Sequence, residues 1–160
     1  MIYDVCHEAG GMSKYEWNRD PKRLGFILAR YKFVSKMLAG KKRVLEVGCA
    51  DGFGSRLVRQ TVGELVAIDI DAQSIAEADA QNWAALPTLF LVQNFMTCTA
   101  HDFDAVYSLD VFEHIQPLSS DVFLSMLHDC APIAIIGTPS LESQAYASKL
   151  SKEGHINCHI

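Results

Sequence analysis

Val44-Leu45-Glu46-Val47-Gly48-Cys49-Ala50-Asp51-Gly52-Phe53-Gly54 is the stretch from which the rest of the chain can be read. A short apolar run reads as a strand, an acid closes it, a glycine-rich turn follows, and a helix begins. That order builds a pocket for a nucleotide-like cofactor. Glycines let the backbone approach a ligand without Cβ interference, and a helix start offers free N–H groups. Leu65-Val66-Ala67-Ile68-Asp69 repeats the pattern of an apolar run ending in an acid, and Asp69 lies 69 − 46 = 23 residues after Glu46. An acid about twenty residues beyond a glycine-rich turn is placed to accept hydrogen bonds from ribose hydroxyls.

Strands and helices alternate outward from this core. Asp20-Pro21 reads as an N-cap with a first-turn proline. Leu24, Ile27, Leu28, Tyr31, Val34 and Leu38 then recur at helical spacing up to Gly40. Helices are expected over 53–62, from Asp71 to about Ala85, and from a cap at Ser120, where Val122, Phe123, Met126 and Leu127 share a face. Strands are expected at 44–47, 64–70, 89–92, 105–109 and 133–136. Residues 1–19 read as an irregular segment, 94–103 as too short and polar for a helix, and 141–160 as a tail with one further short helix at most. This alternation predicts a doubly wound α/β domain spanning 1–160, a mainly parallel sheet with helices on both faces. Ligands bind such sheets beyond the C-terminal strand ends. Glu46, Asp69, Asn94 and Asp110 all lie at or just past such ends, so four polar side chains converge on one crevice.

Composition narrows the partners. Fourteen Lys and Arg against nineteen Asp and Glu leave a net charge of −5, against a broad nucleic-acid footprint. Lys41-Lys42-Arg43 reads as a solvated loop. Five cysteines without a CxxC, no signal peptide and no apolar run long enough for a membrane span predict a reduced, soluble, cytoplasmic protein.

These motifs resemble those of the class I S-adenosylmethionine-dependent methyltransferases over about residues 20 to 140. Glu46-x-Gly48-x-Ala50-x-Gly52 is similar to the family's acid-x-Gly-x-Gly-x-Gly motif, with Ala50 in place of the middle glycine. The resemblance implies a Rossmann-like sheet of order 3-2-1-4-5. It implies S-adenosylmethionine as cofactor, S-adenosylhomocysteine as product and a small-molecule acceptor. It implies cofactor contacts from Glu46, Gly48, Cys49, Ala50, Gly52, Asp69, Ile70, Asn94, Phe95 and Leu109. Within these, Asp69 would hold the ribose diol, Ile70 pack on adenine, and Asn94 read the adenine amino group. Tyr107-Ser108-Leu109-Asp110-Val111-Phe112-Glu113-His114 resembles the fourth motif of the small-molecule subgroup. Such domains continue past the fifth strand, so the chain reads as a fragment truncated there. A homodimer across the exposed sheet edge is the alternative way to cover it.

Methyl transfer from a sulfonium needs alignment above all, which supplies up to roughly 7–11 kcal/mol. A base is needed only where the nucleophile must lose a proton. His114 is the candidate base, because a histidine's ordinary pKa near 6.5 suits proton removal at neutral pH. Asp110 stands beside it as the second catalytic candidate. The plain alternative is that His114 packs the turn ending at Gln116-Pro117. Asp110, Glu113 and His114 also have i, i+3, i+4 spacing, which can gather a divalent metal on one side of a helical turn. The resemblance adds His155 as a later ligand. No metal is expected, because Asp110 is assigned to the cofactor site and the His155-to-His159 tail alone offers too few ligands. Tyr15, Trp17 and Arg19 are expected in a lid over the cofactor, or else Trp17 pins that segment to the core. Two rival functions remain: a non-catalytic methyltransferase-like scaffold, and a short-chain NAD(P)-dependent reductase sharing the G-x-x-x-G-x-G turn but lacking its Tyr-x-x-x-Lys pair.

Overall fold

A computed structural model describes residues 10–147 and 149–158. Cys6, His159 and residues 1–9 of the N-terminal segment lie outside the described residues. In chain order the elements are α1 (Gly11–Arg19), α2 (Pro21–Met37), β1 (Arg43–Val47), α3 (Ser55–Arg59), β2 (Glu64–Asp69), α4 (Ala72–Ala80), β3 (Leu89–Val92), β4 (Ala105–Leu109), α5 (Ser120–Cys130), β5 (Ala134–Gly137) and α6 (Lys149–Gly154). All strand pairs are parallel and the order is β3-β2-β1-β4-β5, as the resemblance implied.

Side chains on a strand alternate between faces, and β1 shows how that builds two cores. Leu45 and Val47 point toward α5, packing with Val66, Val106, Phe123, Leu127 and Cys130. Val44 points to the other face, with Tyr31, Val34 and Leu38 of α2, Val58 of α3, and Tyr107. Glu46 shares that second face and is carried into the protein with it. Asp20 caps α2 by accepting from the Lys22 N–H at 3.1 Å, and Asp71 caps α4 by accepting from the Gln73 and Ser74 N–H groups.

Three local expectations are corrected. Residues 11–19 are helical rather than irregular, because α1 is capped from a distance. The Ser13 N–H donates to Asp51 Oδ2 at 2.8 Å, the Ser13 hydroxyl to Asp51 Oδ1 at 3.1 Å, and the Gly11 N–H to Glu77 Oε2 at 2.6 Å. Helix α5 begins at Ser120 without a side-chain cap, since the Ser120 hydroxyl instead accepts from Asn157 Nδ2 at 2.8 Å. Val122 faces solvent, while Phe123, Leu127 and Cys130 make the buried stripe.

Candidate functional site

The C-terminal strand tips open into a cavity of about 520 Å³, within the range of small-ligand sites. Gly48 follows β1 at φ +81°, a left-handed conformation that favours glycine. A Cβ there would meet Val111 Cγ2 at 2.1 Å, so the loop and the turn after β4 close on each other through a missing side chain. Ala50 also sits in the left-handed region, at φ +47°. The alanine in the middle-glycine position is therefore held in a strained backbone conformation.

Asp69 ends β2 and organises this loop. Its Oδ2 accepts the Ala50 N–H at 2.8 Å and its Oδ1 accepts the Asp71 N–H at 2.9 Å. Each carboxylate oxygen has a second lone pair left for a ligand. Next to it, Ile70 lines the cavity with 70% of its surface exposed, an apolar side chain without a protein partner to cover it. Asn94 spends one lone pair of its amide oxygen on the Met96 N–H at 3.0 Å and keeps the other. Phe95 lines the wall but belongs to the core, edge-on to Phe123 at 5.5 Å, so it packs rather than stacks. Cys49 and Leu109 complete the lining.

Two expected contacts take other places. Gly52, at φ +69°, lies outside the cavity; its missing Cβ makes room for the Phe90 ring at 2.7 Å. Glu46 lies beneath the cavity floor with 1% exposure. Its Oε1 accepts the Tyr31 hydroxyl at 2.9 Å. Burial raises the Glu46 pKa, and the hydroxyls of Ser55, Tyr107 and Tyr31 partly offset that. The Ser55 and Tyr107 hydroxyls stand close but close no hydrogen bond of good geometry. Burial also raises the Cys49 thiol far above its ordinary value, which makes it an inert thiol rather than a redox centre.

Beyond β4, Asp110 adopts φ +56° and pairs with Arg30 of α2. Burial raises its pKa; Arg30, His155 and His114 pull it back down. Arg30 has no motif around it and is 80 residues away in sequence, so sequence reading missed it. The turn after Asp110 is a 3-10 turn over Phe112–His114, not a continuous helix from Asp110. His114 lines the cavity, and its Nδ1 lies 2.9 Å from the Gly154 carbonyl. A carbonyl only accepts, so Nδ1 carries the proton and Nε2 is the basic nitrogen. His114 thus packs its turn while its ring still lines the cavity.

Helix α1 borders the cavity, through residues other than the three expected. Ser13 and Glu16 of α1 are buried and line the cavity. Tyr15 and Trp17 are about half exposed, and Arg19 lies over the Tyr15 ring. Spacing of three places 13 and 16 inward and turns 15, 17 and 19 to solvent, so Trp17 neither touches the cavity nor pins the segment.

The cavity rim is acidic. Glu16, Asp51, Asp69 and Asp110 line it, and no Lys or Arg does among the described residues.

Residues 44–131 match the family of methyltransferase domains, and the chain belongs to that family. This sets aside the reductase alternative. No curated protein matches the chain. Among solved structures, the N-methyltransferase NodS from Bradyrhizobium japonicum WM9 is similar at 15% identity and TM-score 0.68, over 86% of this chain and 76% of that one. Magnesium protoporphyrin IX methyltransferase ChlM from Synechocystis PCC 6803, crystallised with S-adenosylhomocysteine, is similar at 18% identity and TM-score 0.66, over 83% of this chain and 66% of that one. A complex of the Haloferax volcanii Trm112 methyltransferase activator with the putative methyltransferase gives 19% identity and TM-score 0.68, over 94% of this chain and 66% of that one. At these identities the likeness shows the fold. In a ChlM structure with bound S-adenosylmethionine, this chain spans 60% of that chain's length.

Proposed function

We propose that the chain binds S-adenosylmethionine in the cavity over Gly48–Ala50 and transfers its methyl group to a small-molecule acceptor. One observation carries the choice of cofactor: four carboxylates line the cavity and no Lys or Arg does among the described residues. That rim repels phosphate and favours a ligand whose charged groups include cations. An adenosyl sulfonium fits these terms, while a dinucleotide brings a pyrophosphate. The exposed Ile70 offers an apolar surface to a purine, and Asp69 keeps free lone pairs for a ribose diol.

S-adenosylmethionine supplies an activated methyl and leaves as the neutral thioether S-adenosylhomocysteine. The chain's own residues hold and orient. Asp69 grips the sugar, and Gly48 admits the ligand to the backbone. His114 Nε2 accepts a proton from the acceptor where one must leave. Net charge of −5 and a cavity of small-ligand size support a small molecule over nucleic acid as acceptor. Free thiols at Cys49, Cys98, Cys130 and Cys158 support a reducing, cytoplasmic setting. No helix among the described residues is long and apolar enough to cross a membrane. The open edge of β5 supports a homodimer as partner arrangement.

Calorimetry with S-adenosylmethionine, S-adenosylhomocysteine and NADPH tests the cofactor. Dissociation constants of about 1–100 μM for the first two, or roughly −8 to −5 kcal/mol, with no heat from NADPH, are expected. Binding of NADPH alone, or of none, refutes it. Radiolabelled methyl incorporation then separates enzyme from scaffold.

A further inference from the structure

We propose that Glu113, His114 and His155 form a divalent transition-metal site at the acceptor end of the cavity. The three side chains offer one oxygen and two ring nitrogens that all lie within 4.8 Å of one another. Around a metal with bonds of about 2.0–2.2 Å, such atoms stand about 3.3 Å apart. Reaching that takes at most about 1.5 Å of contraction shared among three side chains. A carboxylate with two imidazoles, leaving positions open, suits Zn²⁺, Mn²⁺ or Co²⁺ better than Mg²⁺ or Ca²⁺.

The surroundings are built as metal sites are built. The His114 ring donates from Nδ1 to the Gly154 carbonyl at 2.9 Å, which turns the lone pair of Nε2 outward. Outer hydrogen bonds of this kind fix the tautomer of a ligating histidine. Thr138 Oγ1, just past β5, donates to Glu113 Oε2 at 3.3 Å. Glu113 is 1% exposed, and no Lys or Arg among the described residues forms an ion pair with it. A buried carboxylate that stays ionised is paired or coordinates a metal.

His155 comes from 41 residues further along the chain, and main-chain bonds bring it in. The Glu113 carbonyl accepts the Ile156 N–H at 2.8 Å and the Asn157 N–H at 3.1 Å. Asn157 Nδ2 also reaches the Phe112 carbonyl at 3.3 Å. The tail is thus stapled to the turn that carries Glu113 and His114, and the two imidazole centroids stand 5.1 Å apart.

Asp110 is left outside this set, because Arg30 holds its carboxylate. This departs from an Asp110–Glu113–His114 grouping read from spacing alone. Of the three, His114 lines the cavity, which puts the site at the cavity margin. There the metal would take the His114 Nε2 lone pair and replace it as the proton-removing group: it would bind an acceptor hydroxyl, lower its pKa and let the proton pass to water before methylation. That role rests on the methyltransferase reading; metal binding itself does not.

Titration of the whole chain with Co²⁺, followed by visible absorption and Zn²⁺ displacement, tests the site without any activity measurement. One equivalent is expected to bind. His155→Ala and His114→Ala are each expected to weaken binding by more than about 100-fold, beyond the roughly 10–100-fold of an outer-shell loss expected for Thr138→Val. Asp110→Asn and Cys158→Ser are expected to keep the parent affinity within about threefold. Circular dichroism establishes that each variant folds, and His155→Ala, altering a tail side chain, is the least exposed to misfolding. Full Co²⁺ binding by folded His155→Ala, or its loss in folded Asp110→Asn, overturns the ligand set. Absence of Co²⁺ binding in a chain that binds S-adenosylhomocysteine overturns the metal site alone. Co²⁺ binding without S-adenosylhomocysteine binding leaves the site standing and overturns the cofactor reading.

Discussion

Replacing Asp69 tests the cofactor geometry and the loop geometry at once, and the two effects separate. The carboxylate accepts the Ala50 and Asp71 N–H groups at 2.8 and 2.9 Å. A bound ribose diol would add two further charge-assisted hydrogen bonds. Each such bond contributes about 1.5–3 kcal/mol when its environment is dry. Asp69→Ala therefore removes about 3–6 kcal/mol of binding, or roughly 10²–10⁴-fold, with the lower end expected because the side chain is half-buried. It also strips two N–H groups of their acceptor, at about 1–3 kcal/mol of stability if water replaces it only in part. Asp69→Asn keeps one acceptor oxygen, so it recovers most of the stability while still losing charge toward the diol. Calorimetry with S-adenosylhomocysteine reads the first effect, and urea denaturation reads the second. If folded Asp69→Asn and Asp69→Ala both bind within about threefold of the parent, the diol is held elsewhere and the placement of the cofactor fails.

Gly48→Ala combines a left-handed conformation at φ +81° with a Cβ 2.1 Å from Val111 Cγ2. About 1–2 kcal/mol of backbone cost and about 1–3 of overpacking sum to roughly 2–5 kcal/mol of lost stability by urea denaturation. Adding Val111→Ala should relieve the steric part and leave the backbone part; full rescue would disprove the backbone contribution. Ala50→Gly, at φ +47°, should be neutral to about 1.5 kcal/mol stabilising, since relief of strain outweighs the added unfolded-state entropy. Glu46 has a folded-state pKa raised by burial, so the native state holds its proton more tightly than the unfolded state does. Stability from this group is present below the unfolded pKa and falls as pH rises through the window up to the raised folded pKa. Glu46→Gln removes that titration, so its stability relative to the parent should climb across the window; a pH-independent difference counts against a buried, proton-holding Glu46. Asp51→Ala unpins α1, so trypsin should cut at Lys14 and Arg19 faster while the global unfolding midpoint moves little; unchanged cleavage rates would mean that Asp51 does not hold α1.

The sheet was legible because its strands are apolar runs bounded by turn residues. β3 and β4 begin and end where the run does. β3 nevertheless lies at the sheet edge with Leu89, Leu91 and Val92 exposed, so its identity followed from pattern and not from burial. The strand-tip residues were legible for the same reason, since a tip lies wherever a run ends. What escaped was everything set by contacts across the chain. Helix α1 has no cap of its own, and Asp51 and Glu77 supply one from 38 and 66 residues away. Arg30 looks like any polar position on α2 until the fold brings it to Asp110. The tail docks through the Ile156 and Asn157 N–H groups, which carry no side-chain signature, and that docking takes the Ser120 hydroxyl that looked like a local cap.

The acidity of the cavity has to be reconciled with the chemistry. A sulfonium loses its charge on transfer, so a bare carboxylate beside the sulfur would stabilise the reactant more than the transition state and slow the step. Each of the four lining carboxylates has a donor that draws its charge away from the cavity centre. Arg23 bridges Glu16 at 3.2 Å, Arg30 bridges Asp110, Ser13 bonds both oxygens of Asp51, and Asp69 accepts two backbone N–H groups. Both arginines come from α2, which lies over the sheet on the face that buries Glu46. The rim therefore still excludes phosphate through the sign of its potential, while local pairing keeps any single carboxylate from anchoring the sulfonium. In the proposed function, selectivity for the cofactor and freedom for the methyl group to leave would come from the same residues, divided between what faces the cavity and what faces α1 and α2.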